Sequence, residues 1–183
     1  MTETIDVNQL NESGIINKDE IKNLIEVWLP KKPKKIYKLY DTAEDAPNVW
    51  SFHQKCDNKG ETIVLIKTDN NCRFGGYTSK SWDWHINNYI LDENAFIFSL
   101  DTKKKYPINI PEQAIYSHID YGPIFGRGHD IYICNYCTQN NESYTEGKIY
   151  PLEEKYILNK GTKNFLVKKY EVYQIIYWIK IKI

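Results

Sequence analysis

The sequence predicts an α+β, mostly β fold: a two-sheet antiparallel β-sandwich flanked by two or more helices. Three observations carry that expectation. Short runs of β-branched and aromatic residues recur from residue 36 onward, and Thr62–Lys67 and Ala95–Leu100 are almost unbroken. Turn signals rich in Asn, Asp, Gly and Pro separate these runs. Apolar residues at helical spacing occur twice, before residue 30 and around residue 50.

Residues 1–14 offer few apolar anchors, and a flexible N-terminus is expected there. An amphipathic helix is expected over 15–30, as part of the domain. Ile21, Leu24, Ile25, Trp28 and Leu29 form its stripe, and Asn17 with Glu20 makes a capping box. Ile16 can staple onto Ile21, and Pro30 stops the helix. The sandwich is expected over 31–183. Lys31-Lys32-Pro33-Lys34-Lys35 reads as a solvated linker, and Lys103-Lys104-Lys105 as a charged turn. Ile36–Tyr40 is a first strand. A second helix has Pro47 near its start, with Ala46, Val49, Phe52 and Cys56 on one face, and it ends before Gly60. Thr62–Lys67 reads as a central buried strand, with Arg73–Thr78 as its partner beyond an Asp-Asn-Asn turn. Further strands are expected at Ala95–Leu100, Pro107–Ile110, Gln113–Ser117, Asp130–Cys134, Asn164–Lys168 and Tyr170–Ile183. The alternation in residues 179–183 suits a strand with one wet face.

The 183 residues carry 24 basic and 24 acidic side chains and are 42% hydrophobic. One self-sufficient core fits that length. The balance of charge excludes global disorder and argues against nucleic acid as the main partner. There is no apolar run long enough to span a membrane, and Met1–Leu10 lacks the features of a signal peptide, so no membrane insertion is expected. The expected compartment is the cytoplasm, with the nucleus as an alternative. Cys56, Cys72, Cys134 and Cys137 are then reduced thiols, and the sequons at Asn11 and Asn141 go unused.

Cys134-Asn135-Tyr136-Cys137 supplies the candidate metal pair. A zinc site needs a second pair at comparable spacing, and a redox pair would open a helix, so no metal is assigned. Phe125-Gly126-Arg127-Gly128-His129-Asp130 departs from the dinucleotide fingerprint, with Ile131 in place of the third glycine and a strand following. It reads as a tight turn, and no cofactor is expected. His118 with Asp120 and His129 with Asp130 invite a triad, but no GxSxG or HExxH accompanies them; no catalytic residue is assigned. Tyr77, Trp82 and Trp84 surround a polar loop, either as a partner surface or as core.

Several segments together resemble a TLDc domain of the protist type. Phe52, Cys56–Gly60, Thr62–Lys67 and Phe74-Gly75-Gly76-Tyr77 resemble its first half. Ala95–Leu100 with Phe96, the turn carrying Gly126, Gly128, His129 and Asp130, Phe165 and Glu171-Val172-Tyr173 resemble its second half. The match runs over about residues 17–177. The resemblance implies a helix-flanked two-sheet sandwich and kinship with the oxidation resistance proteins. It also implies a protein partner, with subunits of the vacuolar proton-pumping ATPase (V-ATPase) as the candidates. The family positions read as structural or interaction residues, and Trp82, Trp84 and Arg127 as a partner surface. Buried, Glu171 would need a hydrogen-bond or cationic partner. The leading reading is a non-enzymatic interaction module of oxidative-stress resistance. The alternatives are a thiol-dependent peroxide scavenger using Cys134 or Cys137, and a regulatory or nucleic-acid-binding adaptor. The sequence leaves oligomeric state open.

Overall fold

The computed structural model describes residues 4–178. Among the described residues, twelve strands form two six-stranded antiparallel sheets, β1-β12-β2-β3-β5-β6 and β11-β10-β9-β8-β7-β4. The first contains β1 (Lys35–Asp41), β2 (Thr62–Thr68), β3 (Arg73–Thr78), β5 (Phe96–Ser99), β6 (Lys104–Pro107) and β12 (Val167–Ile176). The second contains β4 (Asn88–Ile90), β7 (Ile115–Ser117), β8 (Ile124–Phe125), β9 (Ile131–Tyr132), β10 (Ser143–Thr145) and β11 (Asn164–Phe165). The helices are α1 (Asn8–Asn11), α2 (Lys18–Asn23, continued by a π-helical turn Leu24–Trp28) and α3 (Val49–Cys56).

The first sheet is covered on both faces, which explains the unbroken apolar run Ile63-Val64-Leu65-Ile66 at the centre of β2. Val64, Ile66, Phe74, Ile97 and Val172 face the second sheet and pack with Trp82, Phe125 and Ile131. Ile63, Leu65, Tyr77, Phe96, Phe98 and Tyr173 face the helical layer of Leu10, Ile21, Leu24, Ile25 and Trp28. Gly76 lets the sheets approach: a Cβ there would lie 2.5–2.7 Å from the Phe125 ring. The motif Phe74-Gly75-Gly76-Tyr77 therefore works as alternating core wall and clearance.

The capping box forms as the spacing predicts. The Asn17 side chain accepts from Glu20 N–H at 3.0 Å, and the Glu20 carboxylate accepts from Asn17 N–H at 2.9 Å. Ile16 and Ile21 share one cluster. The helix departs from regular α geometry after Asn23, and Leu29 N–H reaches back five residues to Leu24 O at 2.9 Å. Arg73 locks this layer to the sheet. Its guanidinium donates to both Glu20 oxygens, at 3.0 and 2.9 Å, and to Ile15 O at 3.0 Å. The amphipathic helix thus packs within its own chain.

Residues 4–14, expected to be loose, are tied down. Asp6 N–H donates to Lys34 O at 3.0 Å, Leu10 is fully buried, and Ser13 reaches the buried Glu171. Leu10, with the partly buried Ile5 and Val7, and the backbone pairing of Asp6 with Lys34 and Ile36 suffice where the sequence showed little hydrophobicity. Buried Glu171 accepts on Oε2 from Ser13 Oγ at 2.5 Å and Tyr173 OH at 3.1 Å, while Oε1 makes no hydrogen bond and is met by Lys169 Nζ at 2.7 Å as an ion pair.

Other boundaries move for identifiable reasons. Asn48 caps α3 through Ser51 N–H, so Ala46 and Pro47 precede the helix. The expected strand Pro107–Ile110 is replaced by β6, because the hairpin turn closes at Lys103 (φ 55°) and Lys104 and Lys105 enter the sheet. As an edge strand, β6 tolerates both the lysines and a terminal proline. Asp130–Cys134 contracts to β9, and Gln113 falls in a 3-10 turn. Strands β4, β8 and β10 were not anticipated. The closing strand ends at Ile176, and the alternating tail 179–183 lies outside the described residues.

Candidate functional site

Among the described residues, the outer face of the second sheet carries a row of partly exposed side chains. Along this sheet Tyr89 pairs with Tyr116, Tyr116 with Ile124, Ile124 with Tyr132, and Tyr132 with Tyr144. Directly paired residues share a face. Four tyrosines therefore form a row across five strands, interrupted at Ile124.

Two loops complete the surface. Tyr121 bridges the gap over the fully buried Ile124, with ring centroids 6.1 Å from Tyr116 and 5.9 Å from Tyr132. His118 stacks on Tyr116, 6.0 Å apart and within 12° of parallel. His129 lies among Tyr116, Tyr121, Tyr132 and Tyr144, at 6.4, 6.3, 5.5 and 5.9 Å. Its Nδ1 is 2.8 Å from the Tyr144 hydroxyl. All seven of these rings, from Tyr89 to Tyr144, are partly exposed.

The turn Gly126–Asp130 builds this centre. Gly126, Gly128 and His129 adopt positive φ of 80°, 84° and 65°. Arg127 does not, which is why a residue with a side chain is tolerated there; it is exposed at the rim. The turn sends neighbouring side chains in opposite directions. His129 goes outward, while Asp130 is fully buried and accepts from Ile149 and Tyr150 N–H, each at 2.8 Å, and from Lys148 N–H. Burial raises the Asp130 pKa against these donors.

Burial, with a smaller contribution from Lys148, lowers the His129 pKa below the usual imidazole range, so the ring is neutral near pH 7. Burial pushes Tyr132 up to about 12 and also raises Tyr116 and Tyr144. The surface thus presents neutral aromatic bodies with polar tips. Such groups dominate the energetics of protein interfaces, because they bury large area with few rotatable bonds. Lys163 sits over Tyr144 at 4.8 Å and pairs with Glu146 at 2.9 Å, giving one end a charged rim.

His53, which drew no attention in the sequence, positions one of the covering loops. It is buried on α3, with Nδ1 2.8 Å from Asp57 Oδ1. Its Nε2 lies 3.0 Å from His118 O and 2.9 Å from Tyr121 O.

The other sequence candidates separate. Tyr77, Trp82 and Trp84 form no common patch. Tyr77 faces the helical layer. Trp82 is fully buried between the sheets, its Nε1 donating to Thr62 Oγ1 at 3.0 Å, and this corrects its assignment to a partner surface. Trp84 remains partly exposed, on the α3 side. Phe74, Gly75, Gly76, Phe96 and Glu171 are buried framework of the first sheet.

All four thiols are buried and free. Burial pushes Cys137 up to about 12 and raises Cys56 and Cys72. Cys134 accepts from Ser143 Oγ at 3.2 Å. Among the described residues no group of three His, Cys, Asp or Glu side chains is placed to hold a metal ion, and no helix is long and apolar enough to cross a membrane. His118 and Asp120 lie at the surface with 3.7 Å between Nδ1 and Oδ2, while Asp130 turns away from His129.

No curated protein matches the chain. The model of the TLDc domain matches residues 9–176, nearly its whole length. That match, with two antiparallel sheets and a helical layer built on the Phe74–Tyr77 and Phe125–Asp130 segments, shows that the chain belongs to the TLDc-domain family.

Proposed function

We propose that this chain is a non-enzymatic protein-interaction module of oxidative-stress resistance that binds and regulates the vacuolar proton-pumping ATPase through the outer face of its second sheet. Membership of the TLDc family supports the stress role and the choice of partner. The observation that carries the reading is the row Tyr89, Tyr116, Tyr132 and Tyr144 around His129, aromatic and partly exposed. Burial of all four thiols, with Cys137 pushed up to about 12, favours contact over peroxide chemistry, since the thiolate is the reactive form.

The test is capture from native lysate under gentle conditions, with quantification of pump subunits. Tyr132→Ser/Tyr144→Ser should lower their recovery at least tenfold while leaving the melting temperature within a few degrees. Failure to recover any pump subunit, or equal recovery by both proteins, overturns the proposal.

A further inference from the structure

The aromatic face of the second sheet is also a chain of oxidisable rings. Centroids are 4.9 Å apart from Tyr89 to Tyr116 and 6.1 Å from Tyr116 to Tyr121. They are 5.9 Å apart from Tyr121 to Tyr132 and 5.1 Å from Tyr132 to Tyr144. Rings this close exchange electrons directly, with no intervening polypeptide to cross. All five are partly exposed, so a small oxidant dissolved in water reaches them.

One end of the chain differs chemically from the rest. A phenol that loses an electron becomes a strongly acidic radical cation, so its proton must leave as well. That transfer is easiest to a base already within hydrogen-bond reach. Tyr116 OH donates to Asn87 Oδ1 at 3.2 Å, and a carboxamide oxygen does not take up the proton. The Tyr144 hydroxyl instead lies 2.8 Å from His129 Nδ1. With the ring proton on Nε2, Nδ1 accepts and Tyr144 donates. Burial keeps this imidazole neutral near pH 7, ready to accept. Lys163, 4.8 Å over the Tyr144 ring, opposes a radical cation there but not the neutral radical left once the proton has gone. Lys148 opposes the imidazolium, but its side chain is 52% exposed and water screens it.

We infer that Tyr144 is the site where one-electron oxidation of this surface settles, with His129 taking the phenolic proton and the neighbouring tyrosines relaying oxidation to it. Carbonate radical anion is an oxidant of the required class. It gains one electron from the Tyr144 ring and becomes carbonate, the phenolic O–H bond breaks, and an N–H bond forms at His129 Nδ1. The imidazolium then passes a proton through solvent to carbonate, leaving bicarbonate and a neutral phenoxyl radical. A radical formed first on Tyr121 or Tyr132 recovers an electron from the next ring and a proton from water, and so moves toward Tyr144. This chemistry needs only the chain itself, so its test is independent of the proposed partner.

Peroxynitrite in bicarbonate buffer supplies carbonate radical and nitrogen dioxide together. Nitrogen dioxide bonds to the ring carbon beside the phenoxyl oxygen, and the hydrogen of that carbon moves to the oxygen. The resulting 3-nitrotyrosine marks the ring that held the radical. The purified full chain is treated at pH 7.4 to low conversion and mapped by peptide mass spectrometry. Tyr144 should carry at least about threefold more nitration than Tyr136 and Tyr37, although these are more exposed, at 49% and 42%. His129→Asn suits the positive φ of 65° but removes the base. It should lower nitration of Tyr144 at least about threefold, with the melting temperature within a few degrees. Tyr132→Phe interrupts the relay and should lower the yield at Tyr144 while raising it at Tyr121. Tyr144→Phe, which keeps the ring, should move the product to Tyr132. Nitration ordered by exposure, with Tyr136 and Tyr37 leading, overturns the inference. So does an undiminished yield at Tyr144 in folded His129→Asn or in Tyr132→Phe, or a product that passes from Tyr144→Phe to Tyr136 and Tyr37 instead of Tyr132.

Discussion

His129 and Tyr144 meet across the exposed face of the second sheet, imidazole Nδ1 to phenolic oxygen at 2.8 Å, with the direction of donation set by the ring's tautomer. Burial and Lys148 depress the folded-state pKa of His129, whereas the unfolded chain titrates near 6.5. Between those values the unfolded state binds more protons, so stability rises with pH. The contribution is fully present above the unfolded pKa and is lost as pH falls through the folded one. Denaturant unfolding of the wild type and His129→Gln between pH 7.5 and 5 should show an advantage of the wild type that shrinks on acidification, by no more than about 1 kcal/mol for a partly hydrated ring. A constant difference across that range contradicts the assignment.

Asp130 is the inward counterpart of His129. Asp130→Ala would strand the N–H groups of Lys148, Ile149 and Tyr150, and Gly126 packs against the same carboxylate. A loss of about 3 kcal/mol is expected from unfolding curves. Hydrogen exchange should accelerate first at 147–150.

Gly75 and Gly76 should fail differently on substitution by alanine. A Cβ at Gly76 meets the Phe125 ring, whereas at Gly75 it lies 1.9 Å from the backbone oxygen of Val64. Each change should cost about 3 kcal/mol or more. Phe125→Leu should recover part of the loss for Gly76→Ala and none for Gly75→Ala, a contrast that a double-mutant cycle measures directly.

Much of the first sheet and its helical cover was legible, because the signals are local. The capping box at Asn17 and Glu20, the doubly buried run Thr62–Thr68 and the left-handed Gly60 (φ 73°) each follow from adjacent residues. The second sheet was hidden by its brevity. Strands β4, β8 and β10 are two or three residues long, too short to show a period, and exist through pairing with distant segments. The candidate surface shares that difficulty: its rings are spread from Tyr89 to Tyr144 and converge through cross-strand register. His53 gave no signal, since a histidine inside a short amphipathic helix looks ordinary until the carbonyls of His118 and Tyr121 are placed against it.

Glu171 joins the closing strand to the N-terminal segment, so its removal should be felt far along the chain. Glu171→Ala leaves Lys169 without one of its carboxylates and should lower stability by about 3 kcal/mol. Ser13→Ala should lower it by about 1 kcal/mol. The two losses should couple by more than about 0.5 kcal/mol in a cycle, read from chemical denaturation.

The thiols should be slow to react. At pH 7.4 native protein is expected to resist iodoacetamide at Cys56 and Cys137, with rapid modification of all four cysteines after denaturation. Mass spectrometry of the labelled peptides checks this.

The most direct measurement is survival under peroxide of cells that depend on this chain, comparing the wild type with Tyr132→Ser/Tyr144→Ser at equal abundance. If the chain acts through what its aromatic face touches, the double variant loses protection while remaining folded. Full protection by a folded variant would contradict a role for that face.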